Sequence, residues 1–334
     1  MELPPEGVLH CRKLSAKSNF PHFYVNEGEI NSPAGLNSEF AHGYLRRVSH
    51  LKICLEEALT QEPLPRRFHF ISGLPRSGST LLSAILSQNP CFHASMSGPL
   101  AGVFDAMLSE LSDQNEFSLF ISNDQRRRIL KSLFDGYYGP EFSADVIFDT
   151  SRVWCTRLEP LKQLFPRSKI IACVRHVSWV IDSIERLVRR NIFQPSGIFN
   201  YKPGGTIYSR AEGLAKGDGM VGFAHNAVKQ AFYSDDPSNL MLLRFETLTN
   251  EPARAIAAVY AFIGEPAYSH DFNNVPYAAD EFDRRIGTPG LHTVRPKVEP
   301  VARASVLPPD LFRRYENDAF WLDPALNLRK VKVV

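Results

Sequence analysis

The chain has 334 residues, 44% hydrophobic and 22% charged, as in a globular protein with a substantial core. Its 38 Lys and Arg residues nearly balance its 36 Asp and Glu residues, which argues against a general nucleic-acid binder. No apolar leader and no run of about eighteen apolar residues occurs, so we expect a cytoplasmic protein without a membrane span. The five cysteines are scattered and form no C-x-x-C pair, which favours free thiols over a disulfide framework or zinc site.

Apolar runs divide the chain near residue 66. Residues 1–66 are expected to form an N-terminal extension, a turn-rich segment plus a helix, which either packs on the following domain or supports a homodimer. In the domain 67–334, strands are predicted at 68–72, 145–149, 169–174 and 239–245, followed by helices at 79–88, 153–165, 178–190 and 251–263. This alternation predicts a P-loop-like α/β fold, with a central parallel sheet flanked by helices. The long connection 191–206 is a predicted lid.

The segment FHFISGLPRSGSTLL, residues 68–82, combines a predicted strand, a glycine-rich turn and a helix start. Gly73 and Gly78 have the spacing of a phosphate-binding loop, yet the residue after Gly78 is serine and not lysine. Backbone N–H groups of such a turn, helped by hydroxyls and a guanidinium, bind anions of phosphate size. The predicted anion-binding residues are Arg76, Ser77, Gly78, Ser79 and Thr80.

A second polar pair follows the predicted strand 169–174. Arg175 leaves the end of that strand, and Ser183 lies eight residues further on, in the predicted helix 178–190. Together they are predicted to bind a separate phosphate, while the apolar residues of the same helix face the core. A lysine-less loop and an Arg–Ser pair predict a nucleotide that carries a 3′-phosphate as well as a 5′-group.

Both motifs resemble those of the sulfotransferase family over residues 67–320. GLPRSGSTLL resembles its 5′-phosphosulfate loop, and VRHVSWVIDS resembles its 3′-phosphate motif. PRSGSTLL and LFPRSKII are most similar to tyrosylprotein sulfotransferases and their bacterial relatives. The resemblance implies 3′-phosphoadenosine 5′-phosphosulfate (PAPS) as donor, adenosine 3′,5′-bisphosphate (PAP) as product, and no metal. It implies Phe245 near the adenine, or else in the core, and candidates in the segment 287–298 that closes over the nucleotide: His292, Thr293, Arg295 and Lys297.

The family's catalytic glutamate and lysine have no counterpart here. Their positions fall on Ser97 and Thr150, so neither role is carried over. A sulfuryl transfer nevertheless needs a base for the acceptor proton and a cation for the departing phosphate.

Other residues are therefore candidates for these roles. Arg76 and then Arg152 are the predicted cations. Asp149 is the first candidate for the base because it ends a strand, although it could equally cap the following helix. His93 is the second candidate, since imidazole titrates near neutral pH, with a partly buried structural histidine as the alternative.

We expect transfer to a hydroxyl or amine of a small molecule, a glycan or a protein tyrosine. The basic run QRRRILK at 125–131 is either a solvated helix face or a dock for an acidic peptide. Two other functions remain open. A P-loop kinase or NTPase is disfavoured by the missing lysine, and a non-catalytic PAPS- or PAP-binding protein is favoured by the two missing catalytic residues.

Overall fold

The computed structural model describes residues 66–112, 115–193 and 205–334. The predicted N-terminal extension, apart from Arg66, and most of the predicted lid lie outside the described residues. None of the helices in the described ranges has both the length and the apolar composition that crossing a membrane requires.

Six strands of the described chain form one sheet in the order β2-β3-β1-β4-β5-β6, and every neighbouring pair is parallel. The carboxyl ends of the strands therefore lie along one edge of the sheet. The strands are β1 Arg67–Gly73, β2 Phe92–Ala94, β3 Val146–Thr150, β4 Ile170–Val174, β5 Leu240–Arg244 and β6 Lys332–Val333.

Helices connect the strands and cover both faces of the sheet. They are α1 Ser79–Leu86, α2 Leu100–Glu110, α3 Asn123–Tyr137, α4 Leu158–Leu164, α5 Val177–Arg190, α6 Ile207–Ala215, α7 Met220–Phe232, α8 Phe245–Asn250, α9 Pro252–Ile263, α10 Asp280–Arg285 and α11 Pro309–Arg314. Short 3₁₀ helices lie at Glu116–Phe120, Arg152–Arg157, Phe320–Leu322 and Pro324–Leu326.

Successive residues of the central strands point into opposite layers, as the pleat requires. Phe70 of β1 packs with the helices on one face, around Phe134 and Trp154. Ile71, the next residue, packs with α1 and α9 on the other face. The predicted P-loop-like α/β fold, with a central parallel sheet between helical layers, is confirmed.

The predicted helix 153–165 is not continuous. A 3₁₀ helix over Arg152–Arg157 comes first, and α4 begins at Leu158. Pro160 lacks an N–H and its ring would clash with an earlier carbonyl, so it fits only in the first turn of a helix. The hydroxyl of Ser151 caps the 3₁₀ helix by accepting from the N–H of Val153. Asp149 was the residue considered for this cap from the sequence.

Two other boundaries differ from the predictions. Strand β5 ends at Arg244, and Phe245 begins α8 and does not end the strand. Helix α9 begins at Pro252, whose fixed φ suits a first helical position. The short edge strands β2 and β6 were not predicted from the sequence, because strands of two or three residues carry too little periodicity.

Candidate functional site

A cavity lies where the carboxyl ends of the strands meet. Residues that follow β1, β3, β4 and β5 line it, and the segment 282–303 completes its lining. Its volume is about 400 Å³, in the range of sites that bind small molecules. In parallel α/β sheets, ligands bind at this edge.

The loop after β1 is fixed by two glycines with positive φ. Gly73 has φ +107°, and a Cβ there would lie 2.0 Å from the carbonyl oxygen of Cys173. Gly78 has φ +98° and directly precedes α1, and a Cβ there would lie 3.0 Å from the Phe245 ring. The backbone therefore takes a course that only glycine permits, and the N-terminus of α1 points its free N–H groups at the cavity edge.

The hydroxyl groups of the loop divide between two roles. Ser79 and Thr80 line the cavity. Ser77 is fully buried, and its hydroxyl lies within donating distance of the Leu74 carbonyl at 2.5 Å and the Cys173 carbonyl at 2.8 Å. Its side chain thus fastens the loop to β4, and only its backbone remains for an anion.

Arg76 connects the two predicted phosphate-binding motifs. Its φ of +59° is rare for a residue with a side chain and costs about 1–2 kcal/mol. Its Nε donates to the Ser183 hydroxyl at 3.2 Å, and its Nη1 donates to the carbonyl of Leu291. Burial lowers the pKa of Arg76 to about 10, Arg175 adds to this lowering, and Asp283 opposes it. Strained residues of this kind cluster at functional sites.

Arg175 follows β4 and lines the cavity. Its guanidinium carbon lies 4.1 Å from the ring centroid of Phe245, which also lines the cavity. Burial lowers the pKa of Arg175 to about 10, and the nearby Arg303 contributes. Its buried Nε has no hydrogen-bond partner among the described residues. A desolvated cation with an unpaired N–H in a cavity wall is suited to an anionic ligand.

Arg303 is a cavity residue that the sequence did not reveal. It pairs with the buried carboxylate of Asp182 at 2.7 Å. The same carboxylate accepts from the Ser305 hydroxyl at 3.1 Å and the Val306 N–H at 2.7 Å. Asp182 was visible beside Ser183 in the second motif, but its partners lie too far along the chain for spacing to indicate them.

Residues at and after the ends of β2 and β3 form another part of the lining. Ser97 and Thr150, at the positions of the family's glutamate and lysine, both line the cavity. Thr150 donates its hydroxyl to the carbonyl of Ser95 at 2.8 Å. Arg152 also lines the cavity, and its guanidinium makes no hydrogen bond with the described residues.

Neither predicted base lines the cavity. Asp149 is buried and accepts from Tyr138 Oη at 2.6 Å and from Trp154 Nε1 at 2.7 Å. Burial raises its pKa, and both hydrogen bonds oppose the rise. His93 packs its ring 4.7 Å from that of Phe142, and burial lowers its pKa. These contacts give both residues structural roles.

The late segment contributes a third group of lining residues. Arg295 and Lys297 line the cavity with exposed side chains, and Lys297 pairs with Glu299 at 2.7 Å. His292 lines it as well and is held by Asp283, whose carboxylate is almost completely buried. The resemblance had placed His292 here, but nothing in the sequence paired it with Asp283.

The basic run lies on α3, away from the lining. Arg126 donates to the carbonyls of Leu111 and Ser118, and Arg127 pairs with Asp124 on the exposed surface. The described residues bring together no group of three or more His, Cys, Asp or Glu side chains that could hold a metal ion.

Comparison with known proteins supplies the family. A model of the sulfotransferase family matches residues 69–270, more than half of the chain. No curated protein gives a significant match.

Several solved structures are similar. The sulfotransferase domain from the curacin biosynthetic pathway is 20% identical, with 62% of this chain and 76% of that chain covered and a TM-score of 0.41. The sulfotransferase domain of the Synechococcus PCC 7002 olefin synthase is 18% identical, with 78% and 96% covered and a TM-score of 0.46. The sulfotransferase from Alicyclobacillus acidocaldarius is 18% identical, with 63% and 85% covered and a TM-score of 0.40. Because the family model matches more than half of the chain, the chain belongs to the sulfotransferase family.

Proposed function

We propose that this sulfotransferase takes its sulfuryl group from PAPS, transfers it to an acceptor hydroxyl or amine, and releases PAP without a metal ion. The observation that carries the proposal is Arg175, a half-buried side chain in the cavity wall whose buried Nε is unpaired among the described residues and lies beside the Phe245 ring. Leaving a buried N–H unpaired is costly, and the oxygens of a phosphate would satisfy it.

The 3′-phosphate of the donor belongs at Arg175 and Ser183. Both line the cavity, and Arg303, held by Asp182, brings a further cation to the same wall. In addition to burial, Arg175 and Arg303 lower the pKa of Arg76, and Arg303 lowers that of Arg175, which supports a site built to hold more than one negative charge.

The 5′-end of the donor belongs at the loop after β1. The α1 N-terminus behind Gly78 supplies backbone N–H groups, and Ser79 and Thr80 supply hydroxyls. The Phe245 ring borders both proposed phosphate positions, since it lies 4.1 Å from the Arg175 guanidinium carbon and packs close to Gly78. This position suits the base and ribose of a nucleotide, while the exposed Arg295 borders the cavity.

The donor supplies an activated sulfuryl group whose transfer leaves a phosphate with additional negative charge. Arg76 and Arg152 are the cations that would stabilise this charge. Arg76 stands inside the 5′-loop, and its Nη2 makes no hydrogen bond with the described residues. Arg152 lies after β3 with an unengaged guanidinium. Fixed donors of this kind stabilise a leaving group without reorganisation.

The acceptor is a small molecule, a glycan or a protein tyrosine that offers a hydroxyl or amine. A second candidate function, binding of PAPS or PAP without turnover, is favoured by Ser97 and Thr150, which stand at the family's catalytic positions in the lining. A P-loop kinase or NTPase function is disfavoured because Ser79 takes the place of the phosphate-binding lysine.

Calorimetric titration with PAP, ADP and ATP, with and without magnesium, tests the donor class. We expect metal-independent binding of PAP in clear preference to ADP and ATP. Magnesium-dependent binding of ATP would contradict the proposal in favour of a kinase. Incubation with labelled PAPS and a panel of phenols, amines, sugars and tyrosine peptides then separates transfer from binding without turnover.

A further inference from the structure

We infer that His292 is the general base of the transfer and that Asp283 positions it. The inference rests on the proposed function, since it assigns the proton-accepting role that neither Ser97 nor Thr150 can fill. His292 replaces Asp149 and His93 as the candidate base, because neither of those residues lines the cavity.

The two side chains form a close pair at the cavity wall. His292 Nδ1 lies 2.6 Å from Asp283 Oδ1, and the backbone N–H of His292 donates to Oδ2 at 2.8 Å. Asp283 is 1% exposed and the His292 side chain is 15% exposed. The Phe282 ring packs edge-on against the imidazole, 5.6 Å between centroids. The imidazole is therefore fixed on one side and accessible from the cavity.

This geometry selects one tautomer. An ionised carboxylate can only accept hydrogen bonds, so Nδ1 carries the proton that it donates to Asp283. In the neutral ring, Nε2 is then the unprotonated nitrogen, and the described residues offer it no hydrogen-bond partner. A nitrogen with a free lone pair at a cavity wall is what a general base requires, and the carboxylate behind it stabilises the imidazolium that forms.

The pair is also near Arg76, the proposed leaving-group cation. Arg76, the cation of the 5′-loop, donates to the carbonyl of Leu291, the residue just before His292. Asp283 is near enough to Arg76 to counter the lowering of its pKa by burial. The segment that carries the proposed base is therefore held to the proposed leaving-group cation by the Arg76–Leu291 hydrogen bond, with the Asp283 carboxylate nearby.

The alternative proton acceptor in the lining is less suitable. Glu299 is the one carboxylate among the described lining residues. It is exposed and paired with Lys297 at 2.7 Å, and this hydrogen bond lowers its pKa. A carboxylate stabilised in its charged form is a weaker base than an imidazole whose tautomer is already set.

In the proposed step the acceptor oxygen forms a bond to sulfur while its proton passes to His292 Nε2. The bond between sulfur and the bridging oxygen of the 5′-phosphate breaks, and its electron pair stays on that oxygen, opposite Arg76. The products are the sulfated acceptor, PAP and an imidazolium that releases its proton to solvent.

The tautomer is tested by ¹⁵N NMR of the full chain with PAP added, the His292 signals being assigned by their loss in His292→Gln. We expect a protonated Nδ1 and an unprotonated Nε2. In Asp283→Asn, the amide oxygen is taken by the His292 backbone N–H, so the NH₂ group must face Nδ1 and the tautomer should reverse. A wild-type ring protonated at Nε2 under mildly alkaline conditions would overturn the inference, and this readout needs no acceptor.

Turnover supplies the second test, with the acceptor from the panel that the wild type sulfates fastest. We expect His292→Gln and Asp283→Asn each to lower kcat by about 10²–10⁴-fold, with the calorimetric Kd for PAP within about threefold of wild type. Glu281→Gln is the matched control and should keep its kcat, because Glu281 is an exposed carboxylate on α10, two residues from Asp283 and outside the lining. Unchanged turnover in His292→Gln, or a collapse in Glu299→Gln alone, would overturn the assignment. Failure of wild-type PAP binding would instead refute the proposed donor.

Discussion

The loop 73–80 and the segment 282–303 contact the same cavity but are held in place by different means. The loop is fixed by backbone geometry, through Gly73 against β4 and Gly78 against Phe245. The segment contains almost no regular structure beyond α10 and is fixed by two buried carboxylates, Asp283 and Asp182. Close backbone packing tolerates no added atom, whereas side-chain pairs can be removed one at a time. The two regions should therefore respond differently to substitution.

The largest effect is expected from Gly73→Ala. Its φ of +107° is strained for any side chain, and the new Cβ would lie 2.0 Å from the Cys173 carbonyl oxygen. Strands β1 and β4 would have to separate, so we expect a loss of at least about 4 kcal/mol in the free energy of unfolding, or no folded protein. Urea denaturation followed by circular dichroism measures it.

Gly264→Ala is the matched control for this substitution. Gly264 also has a positive φ, +75°, but no atom lies within 4 Å of its added Cβ. We expect it to cost only about 1–2 kcal/mol, the backbone term alone. Equal losses in the two variants would show that close approach to β4 does not fix the loop.

Asp182→Ala removes one of the two buried carboxylates that hold the segment 282–303. It leaves the Arg303 charge and the Ser305 and Val306 donors without their buried acceptor. We expect a loss of about 3–5 kcal/mol in unfolding free energy, together with weaker PAP binding. Glu281→Ala, which removes two exposed ion pairs from α10, should cost less than about 1 kcal/mol. A small effect of Asp182→Ala would mean that the segment is held by other contacts.

Arg152→Ala changes a residue outside both the loop 73–80 and the segment 282–303. Arg152 lies after β3 and its guanidinium has no partner among the described residues, so stability should be unaffected. If it stabilises the leaving phosphate, kcat should fall by about 10²–10³-fold with the Kd for PAP retained. A steady-state rate equal to that of the wild type would remove Arg152 from the chemistry.

The smallest expected effect, taken per pH unit, comes from β1, the strand that leads into the loop. Burial lowers the pKa of His69 in β1 to about 3, with help from Arg67 and Lys169, against about 6.5 in an unfolded chain. Between these values the unfolded chain binds a proton that the folded chain does not. The free energy of unfolding should therefore fall as the pH decreases from about 6.5 to about 3, by at most about 1.4 kcal/mol per pH unit. Above about pH 6.5, His69 should contribute no pH dependence.

His69→Asn isolates that contribution. An Asn side chain can still accept from the Lys169 N–H, which bonds to Nδ1 of His69 at 3.1 Å, but it does not titrate. We expect the variant to lose less stability than the wild type when urea denaturation is repeated at decreasing pH. Parallel pH curves for the two proteins would show that His69 is not the origin of the dependence.

The same contrast explains what the sequence could predict. The strand, loop and helix of residues 68–86 form one local pattern, so the fold and the cavity positions of Arg76, Gly78, Ser79, Thr80, Arg175 and Ser183 could be predicted from spacing. The buried role of the Ser77 hydroxyl could not, because it depends on how close β4 passes to the loop. The pairs Asp283–His292 and Asp182–Arg303 depend on the path of an irregular segment, which periodicity does not describe. The separation of Asp149 from the cavity lining could not be predicted either, because a strand end indicates an edge of the sheet but not the face to which the side chain points.

The central claim is that Arg175 binds the 3′-phosphate of the donor and no other part of it. It is tested most directly by calorimetric titration of wild type and Arg175→Ala with PAP and with adenosine 5′-phosphate, which lacks only the 3′-phosphate. A hydrogen bond to a charged group contributes about 1.5–3 kcal/mol, so we expect Arg175→Ala to weaken PAP binding by roughly 10- to 150-fold. Binding of adenosine 5′-phosphate should be nearly unchanged. An equal loss for both nucleotides, or no loss for PAP, would contradict the assignment.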